Sequence, residues 1–336
     1  MAIIEQKITD RYAAYNGDCL EVIPNLKKAS AHCVIYSPPF AELYNYSSSD
    51  RDLSNCKSYE EFLQHYEFVV KSIADVLMPG RIACVHCMDL RKPGGDSGLR
   101  DFPGDIIRLH QRNGFSYRAR HIIWKEPLRM AIKTRALGLR HAQIVKDSSK
   151  CHAAGADYLL VFRRNGENRI PIAHKEGLSY YAGSNPVPSD LVAKFGHGWK
   201  DQKTNKLSHI IWQRYASSVW SDIRIKRVIE YREGRESDEE KHICPLQLDV
   251  IERCLTLYSN PGETILTPFM GVGSEVCGAI QYGRRGVGIE LKPSYYRQAL
   301  KNIQNTITAP KDHADLFAGI EFNDCDDDET EMEDSE

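Results

Sequence analysis

Between residues 263 and 282 the chain has little choice: an apolar stretch, Glu263 to Leu266, runs into Thr267-Pro268-Phe269-Met270-Gly271-Val272-Gly273-Ser274 and then a helical stretch, Ser274 to Tyr282. A strand, a glycine turn and a helix in that order let backbone approach a ligand where side chains would clash. The next helix N-terminus then faces the ligand. A second strand (Arg285 to Ile289) and a helix (Ser294 to Thr306) complete a βαβ unit. Glu290 ends that second strand, where a carboxylate can accept both hydroxyls of a ribose. An NAD-type fingerprint requires a third glycine, and Val276 stands in its place. The spacing therefore favours a nucleoside cofactor without phosphates, such as S-adenosylmethionine. A plain structural turn is the competing reading of a Gly-x-Gly alone. Any side chain at Gly273 is expected to fill the cofactor pocket.

A second signature lies far upstream. Residues 13–40 read as strand, turn, helix (Leu20 to Leu26) and strand (Cys33 to Tyr36), ending at Ser37-Pro38-Pro39-Phe40. The prolines cannot donate to a ladder and fix φ, so the strand stops and the backbone is preorganised. Such a turn offers hydrogen-bond acceptors and an aromatic ring to a planar base. An exocyclic amine is a poor nucleophile because its lone pair is delocalised into the ring. Acceptors on its two N–H groups hold it nearer to sp³ geometry, and Ser37 Oγ and the Pro38 carbonyl are the candidates. Phe40 would stack on the base. Taken alone, the run could be a tight turn that merely ends a strand.

Elsewhere the pattern alternates. Tyr44 to Lys57 reads as a loop. Ser58 with Glu61 makes a capping box for an amphipathic helix that Pro79-Gly80 is expected to stop. Strands are expected at Arg81 to His86, Arg120 to Trp124 and Asp157 to Phe162. Between them come a glycine-rich loop (91–104) and a helix (105–113). This alternation predicts an α/β fold with a mostly parallel sheet covered by helices. Residues 165–240 break the rhythm with prolines, glycines and dispersed aromatics, and read as an inserted subdomain. Regularity returns with a helix from Leu246 to Tyr258 and a turn at Ser259 to Gly262.

Charge is unevenly spread. Ten of the 46 acidic residues lie in 321–336, which has no Lys or Arg; the other 36 face 44 basic residues, a body of about +8. That tail is expected to be disordered. Residues 112–150 hold ten Lys or Arg against Glu126 and Asp147, a run suited to a polyanion, or else a solvated helix face. Arg129, Lys133, Arg135, Arg140 and Lys146 are its candidate phosphate contacts. The ten cysteines form no framework, and Cys84 with Cys87 is a lone Cys-x-x-Cys inside a strand, so no metal site is expected. No stretch of about 18 apolar residues would span a membrane. The N-terminus lacks a signal-peptide h-region, so a cytoplasmic location is expected.

With both signatures in place, the chain resembles the permuted (β-class) DNA amino-methyltransferases, in which a catalytic tetrapeptide of [DNS]-P-P-[YFW] form precedes the cofactor loop. Asn16-Gly17-Asp18 is similar to that family's Gly-Asp turn, Trp124-Lys125 and Asp157 to Arg164 to later sheet strands, and Val219 to Ile223 with His242 to Leu255 to the approach to its first helix. Ser259-Asn260-Pro261-Gly262 resembles the turn before its cofactor strand. Thr267 stands where that family has Asp. The resemblance implies a Rossmann-like S-adenosylmethionine-dependent sheet with helices on both faces, in two halves, 1–164 and 241–310. A target-recognition subdomain at 165–240 lies between them and the acidic tail, 311–336, follows. It implies Ser37, Pro38, Pro39 and Phe40 as catalytic residues. The cofactor would be held by Asp18, Pro245, Thr267, Phe269, Gly271, Gly273, Ser274 and Glu290. Double-stranded DNA is the implied partner, with a cognate restriction endonuclease as a second candidate. Ser at the first position is nearer the cytosine-N4 members than the adenine-N6 members. The alternatives are the same chemistry on RNA or a protein amide, or a DNA-binding module without turnover.

Overall fold

The computed structural model describes residues 3–39, 53–92, 98–134, 136–234 and 245–309. Phe40, most of the 44–57 stretch, Arg135 and the acidic tail 311–336 lie outside the described residues, as does the side chain of Lys133.

The chain opens with β1 (Ile3–Ile8) and β2 (Tyr12–Gly17), then α1 (Cys19–Val22), β3 (Ala31–Tyr36), α2 (Tyr59–Val76) and β4 (Leu77–Met88). A small ladder, β5 (Leu90–Arg91) and β6 (Leu99–Arg100), precedes α3 (Phe102–Arg112), β7 (Phe115–Ile123), α4 (Pro127–Thr134), α5 (His141–Lys146) and β8 (Asp157–Arg164). Next come α6 (Ser189–Phe195), α7 (Lys206–Ala216) and β9 (Val219–Trp220). The last part holds α8 (Leu248–Tyr258), β10 (Thr264–Thr267), α9 (Ser274–Gln281), β11 (Arg285–Glu290) and α10 (Pro293–Thr308).

One nine-stranded sheet runs β1-β2-β11-β10-β3-β4-β8-β7-β9. Strands β2, β11, β10, β3 and β4 are mutually parallel, and β9 is parallel to β7; β1 and β8 run against their neighbours. The two-residue period of β3 sorts its side chains. Val34 and Tyr36 enter a core with Phe62, Tyr66, Phe102 and Leu109 of α2 and α3, while Cys33 and Ile35 enter another with Leu248, Ile251 and Leu255 of α8. Helices therefore cover both faces, as the alternating pattern predicts. Cys84 and Cys87 fall on opposite faces of β4 by the same alternation, one in each core, so they cannot grip one metal ion together.

Helix α2 starts as its sequence demands: Ser58 Oγ accepts from the Glu61 N–H at 3.1 Å. The Glu61 carboxylate reaches back to the Lys57 N–H at 2.7 Å, one residue beyond the expected partner. Its buried face, Phe62, Tyr66, Val69, Val70 and Ile73, anchors it, each such side chain contributing about 1.5–3 kcal/mol. Its end differs from expectation. The helix stops at Val76, before Pro79-Gly80, because Leu77 is already extended and pairs with Ala31. Pairing resumes at Cys33 with Ile82, so the Pro-Gly pair lies in a bulge of a longer β4. Gly80 has φ +74° and runs against Asn168, where a Cβ would collide with backbone.

Within 165–240, Leu178, Phe195, Leu207, Ile211 and Tyr215 form a satellite core around α6 and α7. Val219-Trp220 pairs with Ile122-Ile123 of β7. Buried Arg253 of α8 joins the two by donating to the Ala182 carbonyl at 2.8 Å and to both oxygens of Asp222 at 2.9 Å. Among the described residues, no helix is long and apolar enough to cross a membrane.

Candidate active site

Strands β10 and β3 are neighbours, yet the chain leaves β10 through α9 towards β11 and leaves β3 through α2 towards β4. Connections that diverge in this way open a crevice at the carboxyl ends of the two strands. Both sequence signatures sit at that edge. Thr267 ends β10 and Ser37 follows β3, and the rings of Tyr36 and Phe269 meet across the gap with centroids 5.8 Å apart.

On the β10 side, the glycine turn is held from three directions. The Met270 N–H donates to the Ile289 carbonyl at 2.7 Å, and the Gly271 N–H to Glu290 Oε2 at 2.8 Å. Asn302 of α10 donates to the Val272 carbonyl at 2.9 Å. Glu290 Oε1 accepts from the Lys292 N–H at 2.8 Å, so each carboxylate oxygen is aimed by a backbone donor. Asn16 Nδ2 donates to the carbonyls of Glu290 and Leu291, tying the end of β2 to the end of β11. Half-buried Asp18 then caps α1 through the Leu20 N–H at 2.9 Å.

Two glycines of the turn have different jobs. Gly271, φ +53°, has open space where a Cβ would be. Gly273, φ +98°, faces α10, and a Cβ would lie 3.2 Å from Ala299 Cβ and 3.3 Å from its Cα. A side chain at Gly273 would thus push α10 away rather than fill the pocket, and Gly271 is the position beside open space. Thr267 is 1 % exposed, and its Oγ1 has no hydrogen-bond partner among the described residues. An orphaned buried hydroxyl, a left-handed glycine beside open space and an aimed carboxylate at one strand edge fit a nucleoside-bearing group. Ser274 is buried as the first residue of α9, Phe269 packs beside Tyr36, and Pro245 is half-buried ahead of α8.

Beneath Ser37-Pro38-Pro39, the end of β3 is rigid. The His110 Nδ1–H donates to the Ile106 carbonyl at 2.8 Å, and burial lowers the imidazole to about 4, so Nε2 is a bare acceptor for the Tyr36 hydroxyl at 3.4 Å. The Tyr36 and Tyr66 hydroxyls share a hydrogen bond at 2.7 Å.

Ser37 itself has a partner that sequence reading missed. Its Oγ lies 3.0 Å from Nδ1 of His86 on β4. His86 Nε2 lies 3.1 Å from Asp157 Oδ2 at the start of β8, and Asp157 Oδ1 lies 2.6 Å from Lys125 Nζ, just beyond β7. The Nε2 contact is close but bent, off the line of an aligned hydrogen bond. His86 is 8 % exposed and Asp157 is 3 % exposed. Burial pushes the Asp157 carboxyl up, but the charges and hydrogen bonds of His86 and Lys125 outweigh it and leave it at about 2. The signal was present in the sequence. His86 and Asp157 are polar residues at the ends of runs that otherwise read as buried strands.

The basic segment divides in two. Arg120 sits over the Tyr158 ring and Lys125 pairs with Asp157, so both belong to the sheet edge. Arg129, Arg140 and Lys146 are exposed, on or beside α4 and α5.

Comparison with known proteins gives this arrangement a context. The sequence pattern of a family described as DNA methylase, of N6/N4 type, matches residues 31–301. The chain is similar to the type II methyltransferase M.MjaI of Methanocaldococcus jannaschii, 22% identical over 312 residues that cover 85% of this chain and 89% of that one. It is also similar to the type II methyltransferase M.BamHI of Bacillus amyloliquefaciens, 22% identical over 302 residues covering 88% of this chain, though it spans only 58% of that protein's length. In fold it is similar to TTHA0409 of Thermus thermophilus complexed with S-adenosyl-L-methionine, with a TM-score of 0.57, 20% identity and coverage of 89% and 97%. It is likewise similar to the PvuII DNA methyltransferase, cytosine-N4-specific, with a TM-score of 0.55, 14% identity and coverage of 89% of each chain.

Proposed function

Because the chain belongs to the DNA methylase family of N6/N4 type, matched along residues 31–301, we propose that it transfers a methyl group from S-adenosylmethionine to an exocyclic amine of a DNA base, cytosine N4 in preference to adenine N6. The observation that carries this reading is that Ser37 and Thr267 lie at the diverging carboxyl ends of the neighbouring strands β3 and β10. Acceptors for an amine and a cradle for a nucleoside share one crevice. When bound, S-adenosylmethionine supplies an electrophilic methyl group on a sulfonium. Asp18, Thr267, Gly271 and Glu290 would hold it, with Phe269 and Pro245 at the apolar margin and Gly273 and Ser274 shaping the turn.

Ser37 Oγ and the Pro38 carbonyl would accept from the two amine N–H groups, drawing the nitrogen out of conjugation and aiming its lone pair. Preorganisation by Pro38 and Pro39 means that little reorganisation accompanies reaction. Phe40 would stack on the extruded base. The preference for cytosine rests on resemblance alone: serine at position 37 is nearer the cytosine-N4 members of the family than the adenine-N6 members.

Arg129, Lys133, Arg135, Arg140 and Lys146 would hold phosphates, contacts that position the duplex without reading it. Base readout would fall to 165–240, whose small separate core supports that division. A cognate restriction endonuclease that cuts the same sequence would be the second partner. The test is incubation of purified protein with unmethylated plasmid and isotopically labelled S-adenosylmethionine, then nucleoside digestion and mass spectrometry. Labelled N4-methylcytosine is expected. Labelled N6-methyladenine would keep the reaction and overturn the base, and no labelled nucleoside would overturn the DNA reading in favour of RNA or protein substrates.

A further inference from the structure

We infer that Ser37, His86 and Asp157 form a directional proton relay, in which Ser37 touches the target amine and His86 acts through it as the proton acceptor. This rests on the amino-methyltransferase reading and deepens it. The polarity follows from donor and acceptor counting. Asp157 is flanked by Lys125 Nζ at 2.6 Å and His86 Nε2 at 3.1 Å, and as a carboxylate it can only accept. Even across a bent contact, a carboxylate facing Nε2 favours the tautomer with the imidazole proton on Nε2, which leaves Nδ1 bare. Ser37, 3.0 Å from Nδ1, must then point its own O–H at the histidine. The remaining lone pairs of Ser37 Oγ are left for the amine. The opposite polarity would aim the hydroxyl proton at the amine lone pair and quench the nucleophile.

The same geometry gives the proton an exit. As the new N–CH3 bond forms and the S–CH3 bond breaks, the amine nitrogen gains positive charge and the sulfonium loses it. The N–H bond then breaks, its proton moves to Ser37 Oγ, and the original Ser37 proton moves to His86 Nδ1. Serine is a conductor here and forms no covalent bond to substrate. The imidazolium is met by Asp157, an arrangement that a buried carboxylate supports well. Lys125 neutralises part of that carboxylate, so the proton is released to water and the relay resets. Other charged or titratable groups around this corner include Arg120 of β7, Tyr158 of β8, Cys87 and Asp89 at the end of β4, and Asp101.

The test has two arms. The first uses the free protein: imidazole nitrogen NMR on histidine-labelled chain, with the His86 signal identified by its loss in His86→Asn. An Nε2–H tautomer at neutral pH is expected in the wild type, and an Nδ1–H tautomer would overturn the proposal. The second arm measures turnover on DNA. His86→Asn should lower kcat on the order of 100-fold, at the low end for a positioned proton acceptor because water can still take the proton. KM for DNA and for S-adenosylmethionine should stay within about two-fold, and the acidic limb of the kcat–pH profile should vanish. Unchanged kcat and pH profile, or a loss carried wholly by KM, would overturn the relay. If His86→Asn does not fold, Asp157→Asn serves, with loss of the fixed tautomer as the expected result. Absence of methyl transfer by the wild type would sink the functional reading alone, since the spectrum judges the relay independently.

Discussion

Two neighbouring parts of this protein are built on opposite principles. At the corner where β3 and β4 end and β8 begins, polar side chains are buried or half-buried and face one another: Ser37 with His86, His86 with Asp157, Asp157 with Lys125. The segment that leaves the sheet after Ile123 and returns at Asp157 is the reverse. In α4 and α5 and around them, Leu128, Ile132, Leu137, Ile144 and Val145 are exposed alongside Arg129, Arg140 and Lys146, and Ala136 is the buried hydrophobe of that stretch among the described residues. Lys125 and Asp157 stand at the neck of this arm, because Ile123 and Asp157 are paired across β7 and β8. The proposed chemistry thus sits at strand ends, and the surface proposed to meet a polyanion hangs from the same two residues. A site that must place a lone pair needs locked rotamers, whereas a surface that follows a backbone needs charge and reach.

The sharpest way to break the contrast is Ser37→Ala. Turnover should fall by roughly 10²–10³-fold, the usual effect of removing one preorganised polar contact, with cofactor affinity in calorimetry unchanged; unaltered turnover would remove Ser37 from the chemistry.

Asp157→Asn tests whether the corner is also structural. Removing one partner of a buried charge pair costs about 3–5 kcal/mol, and roughly half of that is expected here because Lys125 can turn outward to water. The sign of the pH dependence is fixed. Asp157 is lowered to about 2 in the folded chain, so its contribution is complete above the ordinary carboxylate value near ~3.9 and is lost as pH falls from there towards the folded value. Urea titrations should show that acid-side loss in wild type and not in the variant.

Gly271→Val and Gly273→Val separate the cofactor pocket from its scaffold. The first should weaken S-adenosylmethionine binding by about ten-fold or more, the second should lower Tm through Ala299, and both strain a left-handed backbone, at about 1–3 kcal/mol. Equal cofactor affinities in the two variants would contradict the roles drawn from their surroundings.

Replacing Arg129, Arg140 and Lys146 together by Gln should leave Tm in place while flattening the salt dependence of DNA binding, by about 0.9 in slope for each phosphate no longer neutralised. A slope equal to wild type would move the phosphate track elsewhere. The smallest effect expected is on stability in the arm: Leu128→Ser and Ile144→Ser should each stay within about 0.5 kcal/mol of wild type. Phe62→Ala in the core should cost about 3–5 kcal/mol, so a comparable destabilisation in the arm would mean that its apolar side chains are packed after all.

Much of this was legible in order along the chain. The strand, glycine turn and helix at 263–282, the capped helix after Ser58 and the proline stop after Tyr36 follow from short-range rules about φ, missing N–H groups and hydrophobic period, which depend on a few adjacent residues. The bulge at Pro79-Gly80 did not, because it is set by Ala31 and Cys33 on the neighbouring strand and by Asn168 beside Gly80. Gly271 and Gly273 look alike in sequence, and only the position of α10 gives them different tasks. His86 is 49 residues from Ser37 and reaches it through the register of β3 with β4, as Asp157 reaches His86 through the register of β4 with β8. Residue order therefore settled which acceptors and glycines were available and which local shapes would hold them. Which side chains meet was decided by strand order and register, since a shift of one residue in a sheet turns every side chain to the opposite face.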